Sequence, residues 1–505
     1  MVTPSEKLAA SLEVIKNLQD QGIVAIRSRD LSRTHRERLV KNGFLQEVLK
    51  GWYISSRPDD KAGESTAWYA SFWNFLASYL ESRFGQGWCL SPEQSLSIHA
   101  GNRTVPRQLL VRARKGSNNV TNLPYDTSLL DIRVDIPDKY DINVMEGLRL
   151  FSLPAALVAC GPASFRQNST DIRAALAMVG DASDLLERLL TGGHSSIAGR
   201  LVGAFRNIGR EDIARNIIDT MAAAGYTVRE SDPFAAASPV TFSQRESSPY
   251  VSRVRILWSH MREDVLEGFP AAPGLARDKA AYLKEIDDLY TSDAYHSLSI
   301  EGYRVSAELI ERVKSGAWNP EHDKGDKEHR DAMAARGYWQ AFQAVKQSIE
   351  TILDGANPGA VVRKDHASWY RELWAPSVTS GLLRPGDLAG YRNGPIHIRR
   401  SMHAPPSMDA VRDLMPAFFE LLEEETVPAA RVVLGHLFFV YIHPYMDGNG
   451  RIGRFLMNTM IAAGGYRWTI IPVEKREEYM AALESASVEQ DIRPFTRFLA
   501  QLIAL

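Results

Sequence analysis

Residues 443–454 read HPYMDGNGRIGR. His443, Asp447, Arg451 and Arg454 supply a proton acceptor, a carboxylate and two fixed cations, while Gly448 and Gly450 flank Asn449. Those types at that spacing describe an anion site with a base attached. Glycines at 448 and 450 permit positive φ, which turns successive backbone N–H groups toward one point. A helix starting just after them adds its free N–H groups and its dipole to the attraction for phosphate. Arg451 and Arg454, three residues apart, then lie on one helical face and reach the same anion. Asp447 suits a Mg²⁺ that also touches phosphate oxygens, because Mg²⁺ in such sites takes few protein carboxylates. His443 sits where an imidazole can take a proton from an attacking hydroxyl.

Two elements must hold this segment. Residues 431–442 (RVVLGHLFFVYI) form an apolar run that Pro444 stops. Residues 454–463 read as a second helix, closed by Gly464 and Gly465. The expected arrangement is a buried helix, a tight anion-binding loop and another helix. Gly448-x-Gly450-x-x-Gly453 also satisfies the dinucleotide pattern G-x-G-x-x-G, which needs a strand before it and a βαβ unit around it. The preceding run is long for a strand, contains His436, and is cut from the glycines by His443-Pro444. The dinucleotide reading is therefore set aside. His436 reads as a core histidine rather than a ligand.

The segment matches H-P-[FY]-x-[DE]-G-N-G-R-x-x-R in full, with Tyr445 at the aromatic position, and so resembles the signature of the Fic family. The resemblance implies transfer of AMP from ATP to a Ser, Thr or Tyr hydroxyl of a protein, with pyrophosphate leaving. Under it, His443 is the base, Asp447 holds Mg²⁺, Gly448, Asn449 and Gly450 cradle the α-phosphate and its neighbour, and Arg451 and Arg454 clamp the β- and γ-phosphates. Ser297-Leu298-Ser299-Ile300-Glu301-Gly302 resembles the family's inhibitory motif [ST]-x-x-x-E-[GN]. Glu301, with Ser297, is then expected to occupy Arg454 and keep it from the γ-phosphate. Residues 386–406, including Gly394, Pro395, Ile396, His397 and Ile398, resemble the family's flap, a β-hairpin beside the active site. The flap pairs with an extended segment of the target protein, a main-chain mode of recognition that tolerates varied sequence. The implied catalytic fold is an all-helical core with that hairpin.

The remaining chain supplies context. At 505 residues it allows two to four domains, at roughly 100–200 residues each. A net charge of −2 argues against a protein that coats nucleic acid, though it permits a local basic face. Cys89 and Cys160 are the only cysteines, which excludes a disulfide scaffold, and no Cys/His spacing suits zinc. No signal pattern and no apolar run of membrane-spanning length is present, so a cytoplasmic location without a membrane partner is expected.

Residues 8–18 and 32–41 have helical spacing, with Asp30 as a cap for the second, and residues 44–54 alternate around a Lys50-Gly51 turn. Helices followed by a small hairpin suggest a winged helix, and the region resembles the N-terminal module of abortive-infection antitoxin regulators. Arg33, Arg36 and Arg38 give its second helix a basic face suited to DNA. The sequence thus divides into a winged-helix domain (1–60), an α+β antitoxin-regulator-like region (61–235), a linker (236–250) and a Fic catalytic region (251–505) with an inhibitory helix near 287–302. The fold class is mainly α, α+β overall. In the second region, 88–90, 108–114 and 130–136 read as strands, and 148–160 and 171–222 as helices. The charge-rich stretch 321–331 implies no site, and Glu423, Glu424 and Glu425 read as a solvated face.

The leading expectation is an autoinhibited protein adenylyltransferase whose partners are ATP, a hydroxyl-bearing target protein, self-modification included, and DNA through residues 1–60. Two alternatives stay open. One is a hydrolase in which Glu301 positions water to remove AMP from the target. The other is a DNA-binding transcriptional regulator in which the Fic core senses a ligand. Assembly as a homodimer also stays open.

Overall fold

The computed structural model describes residues 3–58, 64–234, 240–242, 248–317 and 326–504. Most of the expected linker at 236–250 and the start of the 321–331 stretch lie outside these residues. The chain divides into two compact units, Met1–Arg253 with His397–Ala404, and Val254–Ile396 with Pro405–Leu505.

The first unit begins with α1 (Pro4–Asp20), β1 (Ile26–Arg27), α2 (Arg33–Lys41), β2 (Leu45–Leu49) and β3 (Trp52–Ser55). The strands form an antiparallel sheet in the order β1-β3-β2, and Gly51 makes the β2–β3 turn at φ +79°. Ser32, not Asp30, caps α2: its hydroxyl accepts from the His35 amide. Asp30 accepts from the Arg27 amide instead. Then follow α3 (Thr66–Phe84), β4 (Trp88–Leu90), α4 (Pro92–His99), β5 (Gln108–Ala113), β6 (Asn119–Asn122), β7 (Ser128–Arg133), β8 (Ile142–Met145) and β9 (Leu148–Phe151). A four-stranded sheet runs β4-β5-β7-β6 with β5 and β7 parallel, and β8 pairs with β9. Trp68, Phe72 and Phe75 of α3 are fully buried in the core these strands share. Residues 148–151, expected to open a helix, are strand β9. Pro154 sits in the first turn of α5 (Leu153–Ala159), where its missing N–H costs nothing, so the helix starts there. Further helices of this unit among the described residues are α6 (Pro162–Gln167), α7 (Ser169–Ala177), α8 (Ser183–Thr191), α9 (Ser195–Asn207) and α10 (Glu211–Ala223).

His397–Ala404 belongs with this first unit. The Val105 amide donates to the Met402 carbonyl, the Arg400 amide to Thr66 Oγ1, and Arg399 Nε to the buried Glu64 carboxylate. The expected β-hairpin over 386–406 does not form, as no residue of that stretch is in a strand. Pro395, Pro405 and Pro406 lack the N–H a ladder needs, and the contacts just given use the intervening backbone.

The second unit is helical: α11 (Pro249–Gly268, which begins in the first unit), α12 (Lys279–Ile300), α13 (Ala307–Lys314), α14 (Asp326–Leu353), α15 (Pro358–Thr379), α16 (Met408–Glu424), α17 (Pro428–Ile442), α18 (Asn449–Gly464), α19 (Arg476–Glu484) and α20 (Arg493–Ile503). Every residue of α17 from 429 to 442 is buried except Arg431, as expected of a helix that is apolar all round. A helix, not a strand, therefore precedes the glycines. α18 packs against α12, α14, α15 and α17. Glu425 is not on a solvated face. It is 7% exposed and accepts both Nε and an Nη of Arg262, since a buried carboxylate needs a bidentate partner.

Candidate active site

The joint between α17 and α18 is built by its own residues. His443 ends α17 with φ +53°, a left-handed conformation that non-glycine residues hold only when their surroundings require it. Arg392 supplies that requirement. This buried guanidinium donates to the carbonyls of His443 (2.8 Å), Gly394 (3.2 Å) and Pro406, and its amide donates to Pro444 O. Burial lowers the Arg392 pKa to about 10 and Arg412 adds to the shift, so it stays charged at neutral pH. Asn449 is a second brace. Its side-chain carbonyl accepts from the Tyr445 amide and its NH₂ donates to Tyr445 O, so it reaches an anion only through its backbone. Gly448 takes φ +86° and caps α18. Gly450, expected to share that conformation, is helical. What it provides is space: a Cβ there would lie 2.3 Å from Glu301 Oε1.

His443 Nδ1 lies 3.0 Å from the Val440 carbonyl. A nitrogen facing a carbonyl carries the proton, which leaves Nε2 with its lone pair. Burial lowers the His443 pKa, and Arg392 contributes in the same direction, so the ring is neutral at neutral pH. Its electronic state is that of a general base.

Ser297 and Glu301, one helical turn apart on α12 and its C-cap, meet Arg454 of α18. Arg454 Nε donates to Ser297 Oγ (2.9 Å), and Nη2 donates to Ser297 O (3.0 Å) and Glu301 Oε1 (2.7 Å). Burial raises the Glu301 carboxyl, but Arg454 and Arg451 outweigh it and hold its pKa below the usual value. The pair is therefore ionised at neutral pH. Arg454 Nη1 has no partner among the described residues.

Arg451 is 1% exposed, and its Nε and Nη1 have no hydrogen-bond partner among the described residues. Its Nη2 lies 3.7 Å from Asp447 Oδ1. Two aromatic rings hold it, Trp374 of α15 at 4.6 Å and Tyr303 at 5.1 Å from Cζ. The segment carrying Glu301 thus touches both arginines. A buried cation with two idle donors is short of acceptors, and an anion would supply them.

Behind the arginines, His436 is fully buried. Its Nδ1 faces Gly453 O at 2.8 Å, and Nε2 accepts from the Tyr479 hydroxyl at 2.6 Å. Burial drops its pKa to about 4, so it remains a neutral strut of the core, as its place in the apolar run suggests. Tyr338 donates to the buried Asp293, one turn before Ser297, whose pKa burial raises to about 6.

Asp447 accepts the Gly448 amide at Oδ1, is largely exposed, and has no partner for Oδ2 among the described residues. No group of three or more His, Cys, Asp or Glu side chains there could hold a metal unaided. As a single exposed carboxylate with a free oxygen, Asp447 fits a Mg²⁺, which takes few protein ligands. Gly394, Pro395 and Ile396 lie in the second unit, and His397 and Ile398 in the first. On α2, Arg33 pairs with Glu37, Arg36 donates to Ser28 O, and Arg38 donates to Lys7 O and Ser11 Oγ. No helix among the described residues is long and apolar enough to cross a membrane.

Sequence reasoning missed Arg392, Tyr303, Trp374 and Tyr479. Each lies far along the chain from the residue it supports and looks locally like any amphipathic-helix or loop residue.

Residues 364–461 match the model of the Fic/DOC family. The chain is 28% identical over 234 residues to the protein adenylyltransferase Fic of Drosophila erecta, covering 46% of this chain and 43% of that protein. It is 30% identical over 217 residues to that of Drosophila virilis, covering 42% and 41%. The chain thus spans less than half the length of these curated relatives. A solved structure, Fic-1 (residues 134–508) from C. elegans, aligns over 70% of this chain and 95% of its own at 19% identity with a TM-score of 0.37.

Proposed function

We propose that this Fic-domain chain is an autoinhibited protein adenylyltransferase. The observation that carries the reading is the convergence of a neutral His443 with two buried, under-satisfied arginines around the N-terminus of α18, Arg454 being occupied by Glu301. The enzyme class is supported by relatives named protein adenylyltransferase.

In this reading the first-turn amides of α18 and Arg451 bind phosphates of ATP, whose charge they stabilise as it redistributes. Asp447 would hold a Mg²⁺, which when bound would supply positive charge to offset that of the phosphates. His443 Nε2 accepts the proton of a target Ser, Thr or Tyr hydroxyl, the hydroxyl oxygen bonds to the α-phosphorus, and pyrophosphate leaves with the electrons of the broken P–O bond. Glu301 competes with the γ-phosphate for Arg454, so ATP held while the pair persists lacks that clamp. Incubating the Glu301→Gly chain with ATP and Mg²⁺ and weighing it by mass spectrometry should reveal added AMP on the chain or on a supplied target. ATP consumption without any AMP adduct would contradict the proposal.

A second reading has support in the electrostatics. The Glu301 carboxylate acts electrostatically on His443, opposing the drop in its pKa that burial causes. Glu301 would then orient water for removal of AMP, and AMP release from a pre-modified target would reveal it. The DNA role of Arg33, Arg36 and Arg38 has less support, because Arg36 and Arg38 direct donors into their own unit.

A further inference from the structure

Trp374 is 9% exposed, and its indole N–H has no hydrogen-bond partner among the described residues. Tryptophans that deep usually find an acceptor. Nε1 stands 3.0 Å from the point a Cβ on Gly448 would occupy, against the turn that opens α18. The first amide of that 16-residue helix to bond within it is that of Ile452, which donates to Gly448 O. The three preceding amides point outward from the helix start. Beside them lie Nε and Nη1 of Arg451, likewise unpartnered, with the guanidinium resting on the Trp374 ring. Donors from α15 and α18 thus gather at one small region, and an unbonded buried donor is costly unless an acceptor arrives. A wall that only supported Arg451 would not need an N–H; phenylalanine would serve. Donors from more than one direction suit an anion with several oxygens, as a phosphate has and a carboxylate has fewer of.

We propose that Trp374 is a nucleotide-binding residue whose ring positions Arg451 and whose indole N–H donates to a phosphate oxygen of the bound nucleoside triphosphate. The inference rests on reading the α18 N-terminus as a phosphate site. It does not require AMP transfer.

The test uses the full chain carrying Glu301→Gly, so that Arg454 is free, and inorganic tripolyphosphate and ATP as calorimetric probes. Trp374→Phe keeps a ring and removes the donor; Trp374→His restores an N–H. Phe should weaken both probes about tenfold, the scale of one hydrogen bond to a charged group, and His should recover most of the loss. In the parent chain one indole ¹⁵N–¹H signal, absent in Trp374→Phe, should move downfield on adding tripolyphosphate. Equal affinity in Trp374→Phe, or no affinity of the parent for tripolyphosphate, overturns the proposal. Should Trp374→Phe fail to fold, the parent spectrum decides: no indole signal moving overturns it. A chain that binds tripolyphosphate through Trp374 yet transfers no AMP keeps this inference and sinks the transferase reading instead.

Discussion

Two helices carry arginine clusters, and they use them in opposite ways. On α2, Arg36 and Arg38 hand their donors to carbonyls of neighbouring elements, and Arg33 closes a turn with Glu37. On α18, Arg451 keeps two donors idle although it is buried, and Arg454 keeps one. In sequence both clusters read as anion-binding faces. The difference is acceptor supply. A guanidinium already bonded to its own fold is structural, whereas a buried one short of acceptors is held ready for a ligand. Basic residues in a helix therefore say little about function until their partners are counted.

That contrast can be broken in several ways. The largest effect is expected from His443→Ala, which should cut AMP transfer by about 10²–10⁴-fold with ATP affinity unchanged, read by single-turnover kinetics. Loss of ATP binding instead would make His443 a scaffold residue. Glu301→Gly should raise transfer about 5–150-fold, the span of typical coupling free energies, because it returns Arg454 to the ligand. Arg451→Ala should lose ATP affinity about tenfold or more without lowering thermal stability, since it removes an under-satisfied buried charge. Arg38→Ala should do the reverse, lowering the melting temperature and leaving ATP affinity alone. Equal stability losses in the two variants would erase the distinction between the two helices. Tyr303→Ala should raise basal transfer about two- to fivefold by weakening the second contact of the segment carrying Glu301, with Tyr303→Phe near the parent.

The pH dependence has a definite sign. Burial depresses the His443 pKa below its ordinary 6.5. Protonation disables the base, so transfer should persist into mild acid and fall only below that value; an acid limb at or above pH 6.5 would contradict the assignment. His436, held to about 4, remains neutral in the fold while an unfolded histidine takes a proton near 6.5. The unfolded state then binds more protons between those values, so its contribution to stability is full above 6.5 and is lost as pH falls toward 4. His436→Gln should flatten that loss in denaturant titrations.

Much of the site was legible because it is local. The 443–454 segment places its base, carboxylate and cations within twelve consecutive residues, and the apolar run before it reads plainly as a buried helix. The Glu301–Arg454 contact, expected from a family resemblance, spans distant positions and is present in the structure. Less legible was anything that depends on what a distant residue touches. Arg392 fixes the left-handed His443, and Trp374 and Tyr303 enclose Arg451, yet none has a local signature. The hairpin expected over 386–406 does not form because Pro395, Pro405 and Pro406 lack ladder N–H groups and residues 399, 400 and 402 bond instead to Glu64, Thr66 and Val105 of their own unit. Residues 148–151 became a strand because Glu146 and Gly147, both at positive φ, make a two-residue turn that pairs them with β8, a local signal that the helical spacing of 148–160 masked.

The most direct test is label transfer from α-³²P-ATP with Mg²⁺, comparing the intact chain, Glu301→Gly and the Glu301→Gly/His443→Ala double variant. Weak labelling is expected in the first, strong labelling in the second and none in the third. Labelling that is equal in all three, or absent from all three while ATP still binds, would contradict it.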